Sequence, residues 1–313
     1  MSDAVVRDAS RHAPAPPRFR GNSRYRFGSR IAPYVFVSPF YIIFLIFGTY
    51  PLIQALRLSF MKWAGTGDMV FVGLRNYIRL LDDERFLQAL WNTTYYALGA
   101  VFLILPMAFA LALAVNSALI RVKSVFRVGF ILPNLTSTVA SAIMFILMFN
   151  KQYGLLNELL KALGLSPIGW LDREMVKASV LLVAAWRYTG INMLYFLGGL
   201  QSIPVPVYEA AAVDGANALR KFWHITLPLL RPVAMFILIT TVIGSFQFFA
   251  EPQILANGGP KDASLTITMD LYREGFTNAR MGYASAIGYV LAAIIFILTL
   301  IQLKVFGSPQ EGS

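Results

Sequence analysis

The sequence predicts an all-α polytopic membrane protein with six transmembrane helices. Three observations predict it. Of the 313 residues, 57% are hydrophobic and only 14% charged, and mean hydropathy is +0.60; a soluble domain has about 25% charged residues. Apolar runs of the roughly 20 residues needed to cross a bilayer core about 30 Å thick recur six times. Between the fourth and fifth runs lies a polar stretch, Gln201 to Arg231, with the composition of a helix-rich loop.

A basic arm, residues 1–32, comes first, carrying Arg7, Arg11, Arg18, Arg20, Arg24, Arg26 and Arg30 and no apolar core of a cleavable signal. The six runs are Val35–Leu56, Leu90–Val115, Phe126–Phe149, Val176–Leu200, Val233–Leu255 and Tyr283–Val305. They define a six-span region over 33–306, with a short tail at 307–313. Pro106 and Pro133 fall inside the second and third runs, where each removes a helix hydrogen bond and predicts a kink. Arg121, Lys123 and Arg127 surround the short loop after the second run, so this loop and the arm are expected on the cytoplasmic side. Most acids lie in the opposite loops. With six spans, both termini and the loop at about 201–231 are then cytoplasmic.

Several functions are excluded. The chain has no Cys and only His12 and His224, far apart, so thiol, disulfide and cysteine-zinc chemistry are absent and a histidine metal or hydrolase centre is not expected. The net charge of +11 is read as attraction to anionic lipid headgroups rather than to nucleic acid.

Within the 201–231 loop, Pro204 and Pro206 end the preceding helix, and Gly215 permits a turn after Asp214. Two short helices are expected to meet there. The first contains Glu209, Ala210, Ala211 and Ala212, a thin and strongly helical segment suited to a groove. In the second, Leu219, Phe222, Trp223 and Thr226 share one face and Asn217, Arg220, Lys221 and His224 the other. This predicts an amphipathic helix lying along the membrane surface.

The order Glu209-Ala-Ala-Ala-Val-Asp-Gly-Ala, with Phe222 and Ile225-Thr-Leu-Pro228, resembles the EAA signature of permease subunits of binding-protein-dependent ABC importers. The carbohydrate-uptake, maltose-permease-like branch is indicated by Phe71-Val-Gly-Leu-Arg-Asn-Tyr77, Ala89-Leu-Trp-Asn-Thr93, Ile131-Leu-Pro133, Trp186-Arg187, Leu200-Gln-Ser-Ile-Pro204, Asn257-Gly-Gly-Pro260 and Gly282-Tyr-Ala-Ser-Ala286. The resemblance covers about Pro33 to Phe306 and implies a type I importer permease fold. It also implies a second permease (a heterodimeric pair is favoured), two cytoplasmic ATPase subunits that bind ATP and Mg, and an extracytoplasmic solute-binding protein. Glu209, Ala210, Ala211, Asp214 and Gly215 would then form the coupling helix that docks into the ATPase. The chain carries no phosphate-binding loop, so it is expected to hydrolyse nothing itself and to hold no cofactor or metal.

Polar groups inside apolar spans are costly unless partnered, and so mark a path for solute. Trp186, Tyr188, Asn192 and Tyr195 on the fourth run and Ser245, Gln247 and Glu251 on the fifth are the densest such set. Aromatic faces and neutral amides suit a sugar or related polyol. Arg187 has two readings, an ion pair with an acid near the outer surface or contact with an anionic substrate. A permease for another small solute, or a secondary transporter, is the alternative function, although the spans offer few ionisable groups for ion coupling.

Overall fold

The computed structural model describes residues 23–117 and 122–306. The arm up to residue 22, Arg121 and the tail 307–313 lie outside the described residues. The chain divides into two units at Gln54. The first contains the helix Ser23–Phe44, which begins within the stretch read as an arm, then a wide π turn at Leu45–Thr49 and the start of the helix Tyr50–Ser59. The second unit holds the remainder.

Five helices are long and apolar enough to cross a membrane: Ala32–Ser59, Glu84–Asn116, Val176–Ser202, Ala218–Phe246 and Met281–Phe306. A sixth crossing is made by the pair Lys123–Leu135 and Thr138–Met148, which meet at 91°. Contacts at the span ends show that this bent pair joins opposite ends of its neighbours. At its start the Lys123 ammonium donates to the Asn116 carbonyl at 3.1 Å. At its finish Phe149 stacks on Trp170, with ring centroids 5.6 Å apart, and packs with Val176 and Leu255 in one apolar cluster. That second set of ends also includes Asp83, which accepts from the Tyr283 hydroxyl at 2.6 Å. The only strands among the described residues are Met61–Lys62 and Val70–Phe71, paired antiparallel as a small hairpin on this side.

Three spans share one local device. Their wide π turns at Leu45–Thr49, Ala100–Ile104 and Phe222–Thr226 each stand just before a proline, Pro51, Pro106 and Pro228. Proline lacks an N–H, and its ring crowds the carbonyl four residues back. That carbonyl belongs to Phe47, Phe102 or His224, the middle residue of each wide turn. The turn closes with an i to i−5 bond, for example Leu105 N–H to the Ala100 carbonyl. Widening the helix there relieves the clash without breaking the span. The kink expected at Pro106 therefore takes this form, whereas Pro133 sits in the last turn before the 91° bend.

Two expectations need correction. The fifth span does not run over Val233–Leu255; its helix is continuous from Ala218 to Phe246, and Ala250–Ala256 is a separate short helix. The span ends at Phe246 for a non-local reason, since the Phe248 carbonyl accepts from the hydroxyls of Thr266 at 2.7 Å and Thr268 at 3.1 Å. For the same reason of continuity, the Asn217–Thr226 segment is the first part of this span rather than a separate helix on the surface. Phe222 stacks on Phe109 of the second span and Thr226 is buried, while Leu219 and Trp223 remain exposed.

Helix contacts in the second unit are close where side chains are small. At Gly190 the fourth span meets the third so tightly that an added Cβ would lie 1.7 Å from the Phe130 carbonyl oxygen.

Candidate functional site

The loop between spans four and five folds as two helices meeting at Gly215. Pro204 caps the helix Val205–Val213 in an extended conformation, and Pro206 stands in the first turn, where a missing N–H costs nothing. The C-terminus closes with two bonds, Ala216 N–H to the Ala211 carbonyl at 2.8 Å and Gly215 N–H to the Ala212 carbonyl at 3.1 Å. This is the Schellman pattern, and it requires the positive φ of +75° that Gly215 adopts without a Cβ penalty. Asn217 then starts the next helix, its side chain accepting from the Arg220 N–H at 2.9 Å.

No residue of the helix Val205–Val213 is buried. Glu209, Ala210, Ala212, Asp214 and Gly215 are exposed, Ala211 is half-buried, and Val213 is 89% exposed. Exposed alanines and valines in a row leave a thin apolar ridge flanked by two acids. One side chain ties this ridge to the fifth span, since the Tyr208 hydroxyl lies 2.9 Å from the Thr226 hydroxyl. A displacement of the helix thus acts on the first turns of that span.

A cavity of about 310 Å³ lies among spans two, three, four and five. Tyr188, Asn192, Tyr195 and Ser245, four of the residues expected along a path, line it together with Tyr96, Asn134, Thr240, Thr241 and Phe248. Asn134 reaches it from the bend in span three, next to Pro133. No Lys, Arg, Asp or Glu is among the lining residues. Asn192 donates to the Tyr188 carbonyl at 2.9 Å, and Ser245 donates to the Thr241 carbonyl at 2.8 Å. Tyr96 lines the cavity, and its buried hydroxyl has no hydrogen-bond partner among the described residues. Tyr96 escaped the sequence reading because it closes the polar stretch Asn92-Thr-Thr-Tyr-Tyr96 at the start of the second run, which reads as a span end; its spacing of four from Ala100 and Ile104, which also line the cavity, was the available signal.

Trp186 and Gln247 do not line the cavity. The Trp186 ring packs edge-on against Phe145 at 5.3 Å, and Gln247 is exposed at the C-cap of span five. Arg187 is buried and points to Glu251, Nε to Oε1 at 3.3 Å, while the Tyr188 hydroxyl donates to the same oxygen at 2.7 Å. The pair is nearly sealed from solvent, with Arg187 6% and Glu251 2% exposed. This geometry matches the ion-pair reading of Arg187, and the guanidinium is not among the groups facing the cavity.

At the hairpin side, Arg85 reaches three acids: Asp270 at 3.4 Å, Asp262 at 3.6 Å and Glu274 at 3.9 Å. Asp270 is buried, and that burial raises its carboxyl from 3.8 to about 6, with Arg85 pulling it down and Glu274, Asp83 and Asp262 pushing it up. No group of three or more metal-binding side chains is found among the described residues.

Crossing helices, a cavity among them with uncharged, mainly apolar walls, and an exposed helix linked to one crossing define a membrane transport subunit. Residues 104–305 match the model of the binding-protein-dependent transport system inner membrane component, and the chain belongs to that family. It is 41% identical over 285 residues to the arabinooligosaccharides transport system permease protein AraP of Bacillus subtilis (strain 168), covering 90% of each chain. It is 35% identical to the lactose transport system permease protein LacF of Rhizobium radiobacter (86% of this chain, 92% of the relative). It is 33% identical to the sn-glycerol-3-phosphate transport system permease protein UgpA of Agrobacterium fabrum (89% and 95%). The fold matches a crystal structure of a bacterial ABC transporter involved in import of the acidic polysaccharide alginate, with TM-score 0.81 at 23% identity over 93% of this chain and all of that one. The chain is thus a transport subunit of an inner-membrane, binding-protein-dependent system, as its sequence motifs imply.

Proposed function

We propose that this chain is the permease subunit for a neutral sugar, most simply a short oligosaccharide, delivered by a solute-binding protein. It works beside a second permease and is driven by two cytoplasmic ATPase subunits that bind ATP and Mg. Both termini and the Val205–Val213 helix face the cytoplasm in this reading. The carrying observation is the cavity, whose mainly apolar walls carry tyrosines and a few neutral amides and hydroxyls and hold no charge. Tyrosine rings stack on sugar faces, and the Asn134 and Asn192 amides suit sugar hydroxyls. The names of the arabinooligosaccharide and lactose relatives agree with a saccharide. The glycerol-phosphate relative points to a phosphoester, but such a substrate would want a cation in the cavity wall, and none lines it.

Coupling follows from the loop geometry. The Val205–Val213 helix presents its alanines to the ATPase, Glu209 and Asp214 make its charged contacts, and the Tyr208–Thr226 contact passes displacement into span five. Nucleotide then biases inward- against outward-facing states through differential contacts with the ATPase.

The test is uptake of radiolabelled arabinotriose by the full transporter in proteoliposomes. Asn192→Ala and Tyr96→Phe are expected to lower uptake about tenfold with ATPase assembly intact, and Gln247→Ala to lower it less. Glu209→Lys is expected to leave insertion unchanged and to lower uptake and stimulated ATP hydrolysis together. Normal uptake by Asn192→Ala and Tyr96→Phe, or competition by glycerol 3-phosphate but by no neutral sugar, would overturn the substrate reading.

A further inference from the structure

The motif Phe71-Val-Gly-Leu-Arg-Asn-Tyr77 has no place in the cavity or the coupling loop, and its geometry explains part of it. The Asn76 amide donates to the Ser59 carbonyl at 2.8 Å and the Met61 carbonyl at 3.0 Å, and the Tyr77 hydroxyl donates to the Ser59 hydroxyl at 2.7 Å. These bonds fasten the helix Arg75–Asp82 to the end of span one, directly beyond its last turn. The helix is fixed where a span leaves the membrane.

Its remaining surface is two-faced. Leu74, Ile78 and Leu81, spaced as one helical stripe, are 62%, 60% and 74% exposed, and Phe71 beside them is 70% exposed. Next to this stripe lies a groove of about 750 Å³ between the hairpin, this helix and the start of span six. Lys62, Arg75, Arg79 and Arg280 line it against a single acid, Asp68. Among the described residues Lys62 and Arg75 make no ion pair, Arg280 is held by Glu274 at 3.1 Å, and the Arg79 guanidinium lies 4.5 Å from the Tyr283 ring centre. The Trp63 indole N–H, also in the groove wall, is buried without an acceptor.

We propose that this groove binds the headgroup of an anionic phospholipid in the leaflet on the hairpin side, with the Leu74–Ile78–Leu81 stripe lying among the acyl chains. An apolar stripe and a basic flank on one helix, fixed at the level of a span end, are the pattern of a helix lying in the membrane interface. The groove supplies what a headgroup phosphate needs, two unpaired cations and a further guanidinium, beside the end of span one. Charge also selects against zwitterionic lipid, because a net cationic wall gains little from a headgroup that carries its own ammonium.

The experiment uses the assembled transporter, extracted from nanodiscs of equal phosphatidylglycerol and phosphatidylcholine and examined by native mass spectrometry for retained lipid. The wild type is expected to retain phosphatidylglycerol preferentially. Each groove cation contributes about fivefold to the preference, so K62Q/R75Q is expected to lose about 25-fold and Arg75→Lys to keep it. Asp68→Asn, which removes the only acid in the wall, is expected to raise retention about fivefold and serves as the second variant should K62Q/R75Q fail to assemble. Equal retention of the two lipids by the wild type, or no change in Asp68→Asn, overturns the proposal. So does displacement of phosphatidylglycerol by soluble glycerol phosphate, which would mark a free-phosphoester site. So too does a double variant that keeps its lipid and loses only affinity for the solute-binding protein, which would mark an acidic protein surface as the occupant.

Discussion

Replacing Glu251 by Gln removes one charge from a nearly sealed pair while preserving shape and the oxygen that accepts from Tyr188. At 3.3 Å and an effective dielectric of about 20, the Arg187–Glu251 attraction is about 5 kcal/mol. Arg187 Nε and Nη1 have no hydrogen-bond partner among the described residues, and the guanidinium lies 5.8 Å from the Tyr188 ring centre, so attraction to Glu251 is the main hold on this side chain. Loss of the partner leaves a buried guanidinium uncompensated, and the expected cost is about 3–5 kcal/mol of stability. Neutralising both, in R187Q/E251Q, removes that penalty, and the double variant is expected within about 2 kcal/mol of wild type. Steric-trap unfolding in bicelles measures all corners of the cycle, and a coupling of at least about 2 kcal/mol is expected. A cost below about 1 kcal/mol for Glu251→Gln, or a double variant whose cost equals the sum of the singles, would refute the reasoning.

Three further outcomes follow from the geometry. Gly190→Val places atoms where the Phe130 carbonyl stands, so spans three and four must part; a loss of 1–3 kcal/mol or more (about the usual cost of overpacking) is expected, and wild-type thermal stability would contradict it. Gly215→Val forces a β-branched residue to a φ of +75° at about 1–2 kcal/mol, which frays the exposed helix before it; ATP hydrolysis should lose its stimulation by loaded binding protein while membrane insertion is unchanged, and full stimulation would count against the coupling role. Asp270, raised from 3.8 to about 6, favours its neutral form in the folded state. Its contribution is present below pH 3.8 and is lost as pH rises to about 6, by about 3 kcal/mol. Asp270→Asn should therefore flatten thermal stability between pH 4 and 6 and raise it above pH 6, and an unchanged slope argues against this assignment.

Much of the fold was legible because spans are written in long apolar runs, and five of the six expected runs overlap closely with one crossing helix or, for the third, a bent pair. The fifth was misplaced in both directions for physical reasons. Arg231 and Pro232 read as a boundary, yet the helix carries both, since Pro232 lies inside it without ending it. Its true end depends on Thr266 and Thr268 binding the Phe248 carbonyl, a contact across about 20 residues that no local pattern encodes. Gln247 looked like a polar group inside a span, but where the helix stops a polar residue is an ordinary cap. The two-helix fold of the 201–231 loop was legible because Pro204, Pro206 and Gly215 act on their own backbone. The cavity was half legible: Tyr188, Asn192, Tyr195 and Ser245 stood out against apolar neighbours, whereas Asn134 arrives through a 91° bend whose angle the sequence does not state.

The wide turns before the prolines alter the phase of the helix in which they occur. In span two the positions Tyr96, Ala100, Ile104, Ala108 and Ala112 are all buried. A repeat of four on a regular α-helix drifts about 40° each step, or about 160° over these positions, enough to carry the last of them to the opposite side. The extra residue accommodated at Ala100–Ile104 takes back about 100° of that rotation. Pro106 therefore does more than bend the span: through the turn it enforces, it resets the angular register, so that tyrosine at the cavity and alanines three to four turns further on lie along a single seam.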